Sequence, residues 1–118
     1  MTTTPFSTPC SRGDVLFVSL RFSDGTGMKN RPVIVVSVDA VHASRHDALV
    51  VPLTTQLSVQ RFGDHLLLDS AAAGLPRPSM AKGVVETVAR ARFGRMLGRL
   101  TDRDLDALDS SLRSILGL

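Results

Sequence analysis

The sequence predicts a mainly β domain with one helix at its C-terminus: a small, twisted, partly closed antiparallel barrel or sheet with the helix packed on it. Three observations carry this reading. Short apolar, β-branched runs such as Val33–Val36 and Leu49–Val51 recur along the first two-thirds of the chain, each bounded by glycine, proline or polar clusters. The order along the chain is four or five short strands and then one helix. After Thr101 the period changes, and Leu105, Leu108, Leu112, Ile115 and Leu116 fall on one helical face.

The elements follow in order. Residues 1–11, rich in threonine and serine with two prolines, have little to bury and read as a disordered extension to a domain covering 12–118. "DVLFVSL" from Asp14 is the first strand, with Val15, Phe17 and Ser19 on one face and Leu16, Val18 and Leu20 on the other. "RFSDGTGMKN" reads as a loop because Asp24-Gly25 and Gly27 punctuate it. "RPVIVVSV" is the second strand, with Pro32 near its start, where a missing N–H is tolerated. "DAVHASRHD" is a polar connection, "ALVVPLT" the third strand and "HLLLD" the fourth. "SAAAG" is a helical turn or tight connection ending at Gly74, and "SMAKGVVETV" a fifth strand bulged at Gly83. In the last helix Thr101 is the N-cap, Asp104 completes a capping-box-like start, and Gly117 supplies the stop.

Composition narrows the function. At 118 residues, 43% hydrophobic and 21% charged, the chain suits one domain with its own core. The single cysteine, Cys10, supports neither a disulfide framework nor a cysteine-based metal site. No apolar run approaches the roughly 20 residues of a membrane span, and the N-terminus lacks the apolar core of a signal peptide. A cytoplasmic protein without membrane contact is expected. Net charge is +3, with a sequence pI near 10.0. The basic residues concentrate: Arg77, Lys82, Arg90, Arg92, Arg95 and Arg99 face one acid, Glu86, in the same stretch. A localised cationic surface of this kind suits a polyanion.

Phosphate-loop, nucleophile-elbow, H-E-x-x-H and CxxC patterns are absent. His42 and His46 stand four apart, but in a stretch with no helix signal, so they are not read as metal ligands; His65 reads as a barrel or edge residue. Cys10, assigned to a disordered tail, is set aside as a nucleophile. What remains is arginine and hydroxyl chemistry at strand ends: Arg31, between a glycine-containing loop and Pro32, and Thr54, Thr55 and Gln56 emerging from the third strand.

"RGDVLFVSL", "RPVIVVS", "VVPLTTQ", "GLPRPSMAKGVVETV" and "LGRLTDRDLDALDSSLRSILGL", in that order and spacing, resemble the PemK/MazF toxins across the chain from Arg12 to Leu118. The resemblance implies an SH3-like barrel with a C-terminal helix, a homodimer, and a cognate antitoxin whose disordered, often acidic tail wraps the RNA site. It implies cleavage of single-stranded RNA with no metal or cofactor, leaving 2′,3′-cyclic phosphate and 5′-hydroxyl ends. Arg31 then matches the arginine of the family's R-P motif and Thr54 the hydroxyl of its third-strand motif, the pair associated with cleavage. Lys29, Asn30, Thr55, Gln56, Lys82 and Glu86 are the expected RNA-binding residues around them, and Phe22 to Lys29 a mobile lid. The R-T-x-D motif of some members is replaced here by "ETVA", with Glu86 near the arginine position and Ala89 near the aspartate position. That leaves Lys82 and Glu86 as candidate sources of charge and of a base. Two other readings stand beside this one. A gyrase-directed, CcdB-like toxin would act through an aromatic C-terminal ending, whereas this chain has no Trp and ends Ile115-Leu116-Gly117-Leu118. A barrel that only binds RNA or protein would want exposed aromatics for stacking, and the chain has five Phe and no Trp or Tyr.

Overall fold

The computed structural model describes residues 9–21 and 24–118, so most of the predicted N-terminal extension and the first residues of the predicted lid lie outside the described residues. The elements are β1 (Asp14–Arg21), β2 (Met28–Val35), α1 (Asp39–Ser44), β3 (Asp47–Thr54), β4 (His65–Leu66), β5 (Met80–Ala81), β6 (Glu86–Ala89), β7 (Phe93–Arg99) and α2 (Asp102–Leu116). The strands form one antiparallel sheet in the order β4-β5-β3-β2-β1-β7. β3 forks: Asp47 to Val50 pair with β6, and Leu53 and Thr54 with β5. The mainly β architecture with a C-terminal helix is the one expected, and the sheet does not close, β4, β6 and β7 each pairing on one side only.

The unbroken apolar runs are explained by burial on both faces. Val15, Ile34, Val51 and Leu53 form one cluster with Leu108 of α2, while their neighbours Leu16, Val33 and Val50 join Val18, Val35 and Val88 in a second. Val15, Val18, Ile34, Val35, Val50 and Val51 are all fully buried. Each such side chain contributes about 1.5–3 kcal/mol of transfer free energy. α2 covers the first cluster; Cys10, Leu20 and Phe93 pack at the rim of the second.

Several expectations are corrected by long-range partners. β2 begins at Met28, not Arg31, because β1 runs to Arg21 and offers ladder partners: Lys29 sits opposite Leu20 and Asn30 opposite Ser19. Lys29 is therefore a strand residue rather than lid, and Asn30 a strand residue rather than loop. In the connection, Asp24 accepts hydrogen bonds from the Thr26 amide and hydroxyl, at 3.0 and 2.7 Å. The predicted fifth strand is broken into β5 and β6 by residues 82–85, where Gly83 lies so close to the Phe62–Gly63 backbone that a Cβ would meet Gly63 C at 2.7 Å. The polar connection after β2 contains α1, whose last carbonyls are taken by a distant side chain: Arg90 Nη2 donates to His42 O at 2.8 Å and Arg45 O at 2.6 Å.

α2 starts after Thr101 as expected, but neither side chain of the predicted capping box caps the helix. Thr101 Oγ1 donates to Asp69 instead, at 2.6 Å, and Arg103 forks onto the same carboxylate. These donors hold the Asp69 carboxyl well below the usual carboxylate range, the Arg103 hydrogen bond being the largest cause and the Thr101 hydroxyl the next.

The short 3-10 turn Ala71–Ala73 ends at Gly74 and packs on β7. Gly74 has φ +85°, and a Cβ there would stand 2.0 Å from the Leu97 carbonyl oxygen. Gly74→Ala is expected to cost about 2–3 kcal/mol through combined strain and overlap. Gly25→Ala, at a similar φ of +76° with open space around it, should cost only about 1 kcal/mol. Parallel thermal melts of the two variants would check this; equal shifts would mean the β7 contact is irrelevant.

Candidate functional site

The β2–β3 ladder pairs Val35 with Val50 and Val33 with Pro52. Continuing that register by two residues sets Arg31 opposite Thr54, at the end of the face that buries Val33 and Val50. Arg31 also sits opposite Val18 of β1, and Thr54 opposite Met80 of β5. The row therefore runs from a buried valine to a buried methionine with an exposed arginine and a half-buried threonine between them. A buried scaffold on both sides fixes the backbone beneath two polar side chains.

Their chemistry differs. The Arg31 guanidinium makes no hydrogen bond or ion pair with another described residue, whereas Arg12, Arg99 and Arg103 are engaged by Asp109, Asp14 and Asp69. It is a cation with its donor fork unspent. Thr54 Oγ1 accepts the Gln56 amide at 3.1 Å, so one lone pair is occupied and its own proton is left to donate.

The other sequence candidates distribute unevenly. Lys29, two residues before Arg31, shares its face and is exposed; Asn30 points to the opposite face by strand alternation. Thr55 and Gln56 are exposed just past the end of β3. Lys82 is exposed, and its amide donates to Pro52 O at 2.9 Å, which places it beside the same strand end. Glu86 is not brought beside the pair: it stands opposite Val50, four residues from Thr54 along β3, or about 13 Å at strand rise.

The cationic stretch is thinner than its sequence suggests. Arg90 is only 3% exposed, Arg99 is paired with Asp14 at 2.6 Å, and Arg95 lies over the Phe17 ring. Arg77, Lys82, Arg92 and Arg95 remain as exposed cations with no acidic partner among the described residues.

The histidines have structural partners. His65, on the edge strand β4, lies 2.9 Å from Asp104, and His42 Nε2 lies 2.6 Å from Ser37 Oγ. His42 lies within α1 and His46 beyond its end, and the described residues hold no group of three or more possible metal ligands. Sequence reasoning missed Cys10, whose sulfur stands 3.6 Å from His42 Nδ1. It also missed an exposed apolar surface made by Leu57, Val59, Phe62, Val84, Leu116 and Leu118. These segments adjoin: the Cβ positions of Gly63 and Gly83 fall 2.3 Å from Ile115 Cγ2 and 2.8 Å from Phe62 O.

Residues 11–116 match the model of a family described as the PemK-like, MazF-like toxin of type II toxin-antitoxin system. The chain is 28% identical over 109 residues to endoribonuclease EndoA of Bacillus subtilis (strain 168), covering 91% of this chain and 94% of that relative. Among solved structures, it is similar to an endoribonuclease from Mycobacterial species, with a TM-score of 0.75, 23% identity and 96% of both chains covered. An endoribonuclease in complex with its cognate antitoxin, also from Mycobacterial species, matches with a TM-score of 0.75 at 24% identity, over 93% of this chain and 97% of that one.

Proposed function

The chain belongs to the PemK-like, MazF-like toxins of type II toxin-antitoxin systems, and on that premise we propose that it is an endoribonuclease that cuts single-stranded RNA at specific sequences without a metal ion. The observation that carries the proposal is Arg31, without a partner among the described residues, brought opposite Thr54 by the β2–β3 register on a strand row flanked by core residues. In the reaction, the ribose 2′-oxygen attacks the adjacent phosphorus and the bond to the 5′-oxygen breaks, giving a 2′,3′-cyclic phosphate and a 5′-hydroxyl. Negative charge grows on the non-bridging oxygens, where a preorganised guanidinium is worth roughly 3–4 kcal/mol. Thr54 positions the phosphate through its free hydroxyl proton; at neutral pH it is not a base. Lys29 and Lys82 hold the flanking phosphates, and Thr55 and Gln56 supply hydrogen-bonding groups toward bases and sugars.

The test is incubation of the purified protein with a long single-stranded RNA in EDTA, followed by sequencing of the new ends. Discrete cuts with 5′-hydroxyl ends, absent in an Arg31→Ala, Thr54→Ala double variant, are expected. RNA left intact by both proteins would sink the proposal in favour of a gyrase-directed toxin or a binding barrel.

The same reading includes a second copy of the chain and an antitoxin, at work in the cytoplasm. The apolar surface around Phe62, which is 78% exposed, and Leu118, 86% exposed, suits self-association. Phe62→Glu should lower the mass measured by light scattering from dimer to monomer; an unchanged mass would place the interface elsewhere. The antitoxin-bound mycobacterial relative supports a protein inhibitor here, and unspent cations at Arg31, Lys29 and Lys82 suit an acidic, disordered segment.

A further inference from the structure

We propose that Cys10 is a modification site: a thiol oxidised by hydrogen peroxide to a sulfenic acid, with His42 taking its proton and Arg90 holding the added oxygen. The site is a cavity of about 440 Å³ whose lining includes Cys10, Asp14, Asp39, His42, Arg90 and Met96. It lies at the N-terminal end of β1, where Asp14 starts the strand, four residues before Val18, the partner of Arg31.

Three features point to this chemistry. The first is a proton acceptor in place. Cys10 Sγ lies 3.6 Å from His42 Nδ1 and 3.9 Å from Nε2, and the ring is oriented by Ser37 Oγ, 2.6 Å from Nε2; Ser37 Oγ in turn accepts the Leu49 amide at 2.9 Å. Asp39 Oδ1 lies 3.9 Å from Nδ1. The second is an orphan donor. Arg90 is 3% exposed and spends Nη2 on the carbonyls of His42 and Arg45, yet its buried Nε has no partner. A buried N–H without an acceptor is costly, and an oxygen on sulfur in the cavity that Arg90 lines would supply one. The third concerns competition: Asp14, the buried carboxylate in the lining, is already held by Arg99 and the Ser11 amide, which leaves Arg90 free for the product.

Burial pushes the Cys10 thiol up, with Arg90 acting in the opposite direction, so the resting group is a thiol. A thiolate formed from a weakly acidic thiol is also the stronger nucleophile. The thiol proton passes to Nδ1, sulfur attacks one peroxide oxygen, and the O–O bond breaks as the S–O bond forms. The departing hydroxide takes the proton from His42 and leaves as water. Sulfur loses two electrons and the peroxide gains them.

The test treats the full chain with hydrogen peroxide in the presence of a 1,3-dione that traps sulfenic acids, read by intact mass and peptide mapping. Cys10 should be labelled at least about tenfold faster than free cysteine at the same pH, less than the roughly 10²–10⁴-fold a positioned base supplies because burial disfavours the thiolate. His42→Gln should bring the rate down to that of free cysteine. Should that variant not fold, Arg90→Lys provides the second reading, its sulfenic acid passing to higher oxides sooner than in the parent chain. A parent chain oxidised no faster than free cysteine overturns the proposal, as does a sulfenic acid whose lifetime does not depend on Arg90.

Discussion

Arg31→Ala is expected to lower RNA cleavage by roughly 10²–10³-fold while leaving the thermal midpoint unchanged. The stability half of the prediction follows from exposure: the side chain touches no described partner, and substitutions at such positions stay within about 0.5 kcal/mol. The catalytic half follows from what the guanidinium faces. Its fork has no acceptor among the described residues, so no bond to them must break before it turns to a phosphate. Binding should suffer far less than turnover. Losing one phosphate contact reduces the salt dependence of single-strand binding by a slope of about 0.7, a small part of the whole interaction. Arg31→Lys keeps the charge and loses the fork, and should fall between parent and alanine variant. Single-turnover cleavage at saturating protein separates the effects. If the alanine variant regains full rate at saturation, Arg31 only binds RNA and the proposed transition-state role is wrong.

The elements that could be read from the sequence are those whose signal is local. β1, β2 and β3 announce themselves because adjacent residues such as Leu16 and Val15, or Val33 and Ile34, are buried on opposite faces, which leaves an apolar run with no polar gap. α2 announces itself by its leucine spacing, and Leu108 is buried where that spacing puts it. What failed depends on partners far away in the chain. α1 is too short for periodicity to show, and the residue that satisfies its last carbonyls, Arg90, lies about half the chain away. Counting Arg90 and Arg99 as surface charge overstated the basic patch, because burial and an aspartate partner are invisible to composition. Cys10 was dismissed for its polar neighbours, although its contact is with a histidine 32 residues on.

The candidate site shows the same division. Arg31 and Thr54 were reached through motif resemblance, and nothing in their spacing says that they face each other. That depends on the register of β2 against β3, which the apolar pattern sets by forcing Val33 and Val50 onto one face. Glu86 matched the same family stretch by position, but the break between β5 and β6 leaves it well along the sheet from Thr54.

The largest effect on stability is expected at Asp104. The residue is fully buried in the first turn of α2, and it accepts from the amides of Leu68 and Asp69 at 2.8 Å each and meets His65 Nε2 at 2.9 Å. A carboxylate at a helix N-terminus is favourable in itself. Its weight here comes from the two backbone donors, which belong to the segment leaving β4 and have no other acceptor among the described residues. Asp104→Ala strands both donors and empties the space. The expected loss is about 3–5 kcal/mol, set against a total of roughly 5–15 kcal/mol for a domain of this kind. The midpoint should fall by more than about 10 °C. Asp106→Ala, exposed on the same helix, removes an equal charge and should move it very little. Asp104→Asn keeps one acceptor and should lie between. The consequence reaches the candidate site, because Leu66 of β4 pairs with Met80, and Met80 with Thr54. A β4 released from α2 therefore loosens the strand that braces Thr54, and cleavage should fall below the melting range. Hydrogen exchange at the Leu68 and Asp69 amides would detect that release directly. Unchanged protection in Asp104→Ala would mean that β4 is held by its ladder with β5 alone, and that Asp104 serves only its own helix.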